Sequence, residues 1–138
     1  LRLAVVKATL MLGLVGAVPL IVVLAFGPFL FSFTFGKQWV LAGVYAKWLS
    51  LWIFSVFMNG PSVSAIPVIG KQATLLIYEI FYSIAKAVAI ASTALITRDA
   101  LAAIAAYAVV GFIANSFLIL YTISCCPKPL ADNHPVTE

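Results

Sequence analysis

Four long apolar stretches alternate with short polar breaks along this chain. The stretches run from Ala8 to Phe33, Val44 to Ile69, Ala73 to Thr97 and Ala100 to Ile123. About 20 apolar residues in helix cross the hydrocarbon core of a bilayer, and each stretch reaches that length. The runs are continuously apolar, with no period of two, which predicts helices and not barrel strands. The breaks are short: Phe35-Gly36-Lys37-Gln38-Trp39, Gly70-Lys71-Gln72 and Thr97-Arg98-Asp99. Such links make successive helices antiparallel neighbours, an up-down pair of hairpins. The predicted fold is an all-α integral membrane protein with a helical region over 1–124. A polar tail over 125–138, with three prolines and no apolar run, is expected to be disordered.

Polar positions inside the stretches carry the candidate chemistry. In the third, Glu79, Ser83, Lys86, Thr93 and Thr97 recur at helical spacing and fall on one stripe, with Tyr82 at its edge. Lys86 lies near mid-span, where a lysine costs roughly 2.5–3.5 kcal/mol to insert. The stripe is therefore expected to face protein or a water-filled cavity. Glu79 is two turns from Lys86, about 10 Å along the axis, so spacing does not make them an ion pair. In the second stretch Ser55, Asn59 and Ser62 form a weaker polar face, interrupted by Gly60-Pro61. A proline there frees a carbonyl and bends a helix, a feature of transporter sites as well as of plain packing. Gly13 and Ala17 have small-xxx-small spacing, and Tyr107, Gly111 and Asn115 align on one face of the fourth stretch; both patterns read as helix packing. Trp39, Tyr45, Trp48 and Trp52 cluster after the first break, as rings do at a membrane interface.

Composition narrows the function classes. Hydrophobic residues make up 64% of the chain and charged residues 9%, against roughly 45–50% and about 25% in soluble domains. The net charge of +4 comes from scattered groups, with no basic patch for nucleic acid. His134 and two of the four acids, Asp132 and Glu138, lie in the tail, so no triad, metal site or phosphate loop is expected, and neither an enzymatic activity nor a cofactor. Cys125 and Cys126 are adjacent, a poor pattern for zinc or a disulfide framework; juxtamembrane lipidation and plain small residues both remain open. Arg2, Lys7, Lys71 and Lys128 lie on one side and Lys37, Lys47 and Arg98 on the other, which favours cytoplasmic termini by one charge. The chain starts at Leu1 without an initiator methionine, which suggests a fragment of a longer protein.

The first break and the residues beyond it resemble a known family. Phe35-Gly36-x-x-Trp39-x-x-Ala42-Gly43-x-Tyr45-Ala46, then Trp52, Pro61-Ser62, Gly70-Lys71-Gln72 and the basic Lys86 stand in the order and spacing of the polysaccharide biosynthesis flippases, members of the MATE-like flippase superfamily. The resemblance covers Pro19 to Leu120. Leu51 stands where relatives commonly have proline, and Gly60 where serine is usual before Pro61. The resemblance implies the last four helices of a twelve-helix, two-lobed flippase in the bacterial cytoplasmic membrane. Its cargo would be an undecaprenyl-pyrophosphate-linked oligosaccharide such as an O-antigen or capsular repeat unit. Lys86, Glu79, Ser83, Asn59 and Ser62 would line the cavity, and the partners would be that cargo, membrane lipid and the remaining helices of the parent. A complete small multidrug exporter coupled to protons through Glu79, and a membrane subunit with no transport role, are the alternatives.

Overall fold

The computed structural model describes residues 1–126, and these residues form four α-helices. Helix α1 spans Arg2–Phe35, α2 Val40–Val68, α3 Gln72–Thr97 and α4 Ala100–Cys125. A single 3-10 turn, Lys37–Trp39, joins α1 to α2. All four are long and apolar enough to cross a membrane. Side chains such as Phe33 and Ile96 are each 81% exposed, which hydrocarbon tolerates and water does not. The chain is built as a multi-pass membrane protein.

The helices outrun the apolar stretches at their ends. At 1.5 Å per residue α1 is about 50 Å long, and it takes in Arg2 and Lys7, whose stems can lie along apolar surface while the charge reaches outward. Helix α2 starts four residues before Val44 because the 3-10 turn leads straight into it. The stops follow local backbone chemistry. Gly36 has φ 99° and Gly70 φ 72°, left-handed values that suit glycine. Between α3 and α4, Arg98 takes the left-handed conformation at φ 51°. Asp99 then caps α4, its Oδ1 accepting from the Leu101 amide at 2.9 Å, a cap worth about 1 kcal/mol. Helix α4 runs through Cys125, one residue past the expected end of the helical region. The expected disordered tail from 127 onward, with His134, lies outside the described residues.

Helices α1 and α2 pack closely along their length. A Cβ placed on Gly43 would lie 2.5 Å from Pro28 Cα and 2.6 Å from the Gly27 carbonyl oxygen. Toward the other end Gly16 receives the rings of Phe54 and Phe57, and Gly13 receives Met58. Val5 and Ala65 share a buried cluster with Cys126. As numbers rise along α1 they fall along α2. Helix α4 packs against both α2 and α3, whereas α2 and α3 share little surface although only 69–71 separates them. The order across the molecule is thus α1, α2, α4, α3, with a hairpin at each side and the α2–α4 contact joining them.

Candidate functional site

Where α2, α4 and α3 meet, polar and aromatic side chains replace the apolar lining. From α2 come Trp52, Ser55 and Asn59, at i, i+3 and i+7 on one face. From α4 come Tyr107, Gly111 and Asn115, and from α3 Tyr78, Tyr82 and Lys86. Asn115 is the hub. Its side-chain oxygen accepts from Asn59 Nδ2 at 2.9 Å. Its Nδ2 faces Ser55 Oγ at 3.1 Å and the Tyr82 hydroxyl at 3.3 Å. The Tyr82 hydroxyl also accepts from Trp52 Nε1 at 3.1 Å. Tyr78 donates from its hydroxyl to the Ala114 carbonyl. Gly111 makes the approach possible, because any Cβ there would strike the Trp52 ring. Interhelical hydrogen bonds of this kind contribute about 0.6 kcal/mol each in membranes, up to roughly 1.7.

Lys86 occupies the end of this network. Its Nζ lies 4.0 Å from the centroid of the Tyr82 ring, 5.1 Å from that of Tyr107 and 5.3 Å from that of Trp52. The Tyr107 hydroxyl is 3.5 Å away, and the Tyr107 and Trp52 rings meet edge to face. Three ring faces around an ammonium form an aromatic cage. One cation–π contact gives about 0.5–1 kcal/mol when exposed and about 2 when desolvated, enough in combination to offset the insertion cost of a mid-span lysine. The residue as a whole remains half-buried.

Comparison with family models, curated proteins and solved structures returns no match.

The structure draws the five expected site residues apart. Lys86 and Asn59 enter the network. Ser62 is fully buried one turn beyond Asn59, and its hydroxyl has no partner. Glu79 and Ser83 are exposed on α3, and Lys86 faces the rings. Thr93 is half-buried, and Thr97 donates to the Thr93 carbonyl at 2.7 Å. Trp52, read from sequence as an interface ring, instead sits inside the seam; the legible signal was its position on the same helical face as Ser55 and Asn59. Tyr107, Gly111 and Asn115 do pack, as their alignment implied, but two of them also touch or satisfy polar groups. Lys86 faces ring surfaces from α2, α3 and α4. Two grooves, about 300 Å³ beside Gly16, Pro19 and Phe54 and about 280 Å³ beside Met58, Phe112 and Ser116, are apolar and do not include it.

A second cation stands at the α2–α3 turn. Lys71 Nζ is 3.4 Å from Cys125 Sγ and 5.6 Å from the Tyr121 ring centroid. The hydrogen bond and charge interaction with Cys125, and then those with Tyr121, hold the Lys71 ammonium above its ordinary pKa. Cys125 and Cys126 are free thiols. Among the described residues no three His, Cys, Asp or Glu side chains gather to hold a metal.

Proposed function

We propose that this chain is the C-terminal part of a flippase that moves lipid-linked oligosaccharide repeat units across the bacterial cytoplasmic membrane for surface polysaccharide biosynthesis. The observation that carries the reading is Lys86, a half-buried cation held within a membrane-spanning helix by three rings. Together with the ordered motifs from Phe35 to Lys86, it suits a wall that attracts a pyrophosphate. A charge in a low-dielectric wall acts strongly on an anionic head group. Four antiparallel spans with both termini cytoplasmic would form part of one lobe, and the other helices of the parent would complete the cavity. Glu79 and Ser83 are exposed on α3, and in this reading they would line that cavity.

Replacing Lys86 in the intact parent tests this. Lys86→Arg keeps the charge and is expected to retain much of the export of surface polysaccharide. Lys86→Gln is expected to lose about tenfold or more at matched membrane protein level, the equivalent of one charge-assisted contact. Normal export with Gln at 86 would remove the cargo role. Exposure of Glu79 within a span also favours a second reading, a small proton-coupled exporter. Reconstitution of the 138-residue chain separates the two. Transport that depends on Glu79 would establish the exporter, whereas the flippase reading expects no transport from four helices alone.

A further inference from the structure

The apolar groove of about 300 Å³ lies in the seam between α1 and α2. Gly16, Leu20 and Val23 line it from α1, and Ser50, Phe54 and Phe57 from α2. One turn nearer the α1–α2 turn each stripe gains a further member: Gly27, four residues after Val23, and Lys47, three residues before Ser50. Two contacts place Lys47 at the head of the groove. Ser50, inside it, donates to the Lys47 carbonyl at 2.8 Å. The Lys47 stem lies over the bare face of Gly27, where a Cβ would come 3.3 Å from Lys47 Cγ and 3.5 Å from Cε. Lys47 is half-buried within a helix apolar enough to cross a membrane. Its charge is not answered as the other two are. Lys86 has three ring faces, and Lys71 has Cys125 and Tyr121. Among the described residues the Lys47 ammonium meets no acceptor, acid or ring, and its carbonyl makes the one side-chain contact, with Ser50. The described acids, Glu79 and Asp99, belong to α3 and to the cap of α4.

We propose that the α1–α2 seam binds one anionic phospholipid, with its phosphate at Lys47 and one acyl chain in the groove. Charge selects the head. An unanswered ammonium within a span is unfavourable, and the bilayer itself supplies phosphates. Helical side chains lean toward the N-terminus of their helix, so the Lys47 stem leans toward the α1–α2 turn. Trp39 and Trp48, 47% and 36% exposed, bracket it in sequence, as rings do at headgroup level. Lys47 follows Trp39 by eight residues, about 12 Å along the axis. A snorkelling stem and a phosphate drawn inward cover that depth between them. Shape selects the tail. From Lys47 the groove runs away from the turn, the direction taken by the acyl chains of a lipid anchored there. It is about 10 Å long between Ser50 and Phe57. A volume of about 300 Å³ over that length admits one chain, whereas a helix is 10–12 Å across. A zwitterionic lipid fills the same groove but brings a second cation toward Lys47, so a net anionic head is favoured.

Lipid retention by the full chain tests this, measured by native mass spectrometry from micelles with added phosphatidylglycerol or phosphatidylcholine. The unaltered chain is expected to retain phosphatidylglycerol over phosphatidylcholine by about fivefold, the effect of one basic residue on an anionic lipid. Lys47→Gln is expected to abolish that preference and Lys47→Arg to keep it. Val15→Trp adds a ring at the exposed edge of the groove. It is expected to weaken retention of both lipids while circular dichroism stays helical. Equal retention of the two lipids by the unaltered chain, or a preference that survives Lys47→Gln, overturns the head-group contact and with it the proposal. Unchanged retention in Val15→Trp overturns the acyl slot. Displacement of phosphatidylglycerol by an equal concentration of undecaprenyl phosphate would assign the groove to an isoprenoid tail, which also overturns it.

Discussion

Between α1 and α2 the closest approach is backbone on backbone, Gly43 against Gly27 and Pro28. Between α2 and α4 the contact is made by side chains, with Asn59 and Asn115 sharing a hydrogen bond while a third helix adds Tyr82 and Lys86. Lipid gives apolar helices no hydrophobic reason to associate, so each seam needs another source of attraction. The first draws on dispersion over short distances, which falls away steeply once a gap opens. The second draws on hydrogen bonds, which fix register and rotation because donor must meet acceptor. A seam of the first kind fails when volume is added, and one of the second kind fails when a partner is removed.

Gly43→Val is expected to break the first seam most severely. Its added atoms meet Pro28 Cα and the Gly27 carbonyl, neither of which can swing aside, and the loss should be about 3 kcal/mol in a denaturant titration of the chain in micelles. Asn115→Leu keeps volume but strips the hub of the second seam. Three interhelical hydrogen bonds at about 0.6 kcal/mol each make a loss of about 2 kcal/mol in the same titration. Were Asn115→Leu neutral, the second seam would be held by its rings alone. Tyr82→Phe keeps the ring beneath Lys86 and removes only the hydroxyl that receives Trp52 and Asn115, so about 0.5–1 kcal/mol should be lost. The smallest effect is expected at the turn, outside both seams. Lys71 has a raised pKa, so any stability it contributes is complete below the ordinary lysine range and declines as pH rises through the raised value. Lys71 should therefore add no pH dependence to stability from pH 6 to 9, and Cys125→Ser should lower stability by the same small amount at each pH, as read by thermal melting.

The four helices were legible because hydropathy alone decides them: each apolar stretch lies inside one helix apart from Ile69, which caps α2. Lys86 was legible as a buried-charge problem. Its solution was not, because the rings come from α2, α3 and α4, and a single helix's periodicity does not report which other helix it will meet. The same limit explains Glu79 and Lys86. They lie on one stripe by angle, yet α4 covers only part of α3, and the long lysine stem reaches the covered side while the shorter glutamate stays exposed. Gly13 and Ala17 were legible as helix packing, and Gly13 does receive Met58 of α2. A backbone-on-backbone contact falls at Gly27 and Gly43, where two glycines on different helices coincide, a pairing that no spacing along one helix announces.

The spatial order α1, α2, α4, α3 has a consequence for synthesis. Trp52 and Tyr82 are made before or with the Lys86 ammonium, but Tyr107 follows it by 21 residues. At about 5–20 residues per second, the nascent chain carries this charge for about 1–4 s before its third ring exists. During that interval α3 has little surface in common with its predecessor α2 and no α4 to lean on. The third ring around this charge, and most of the surface on which α3 packs, thus arrive only with α4.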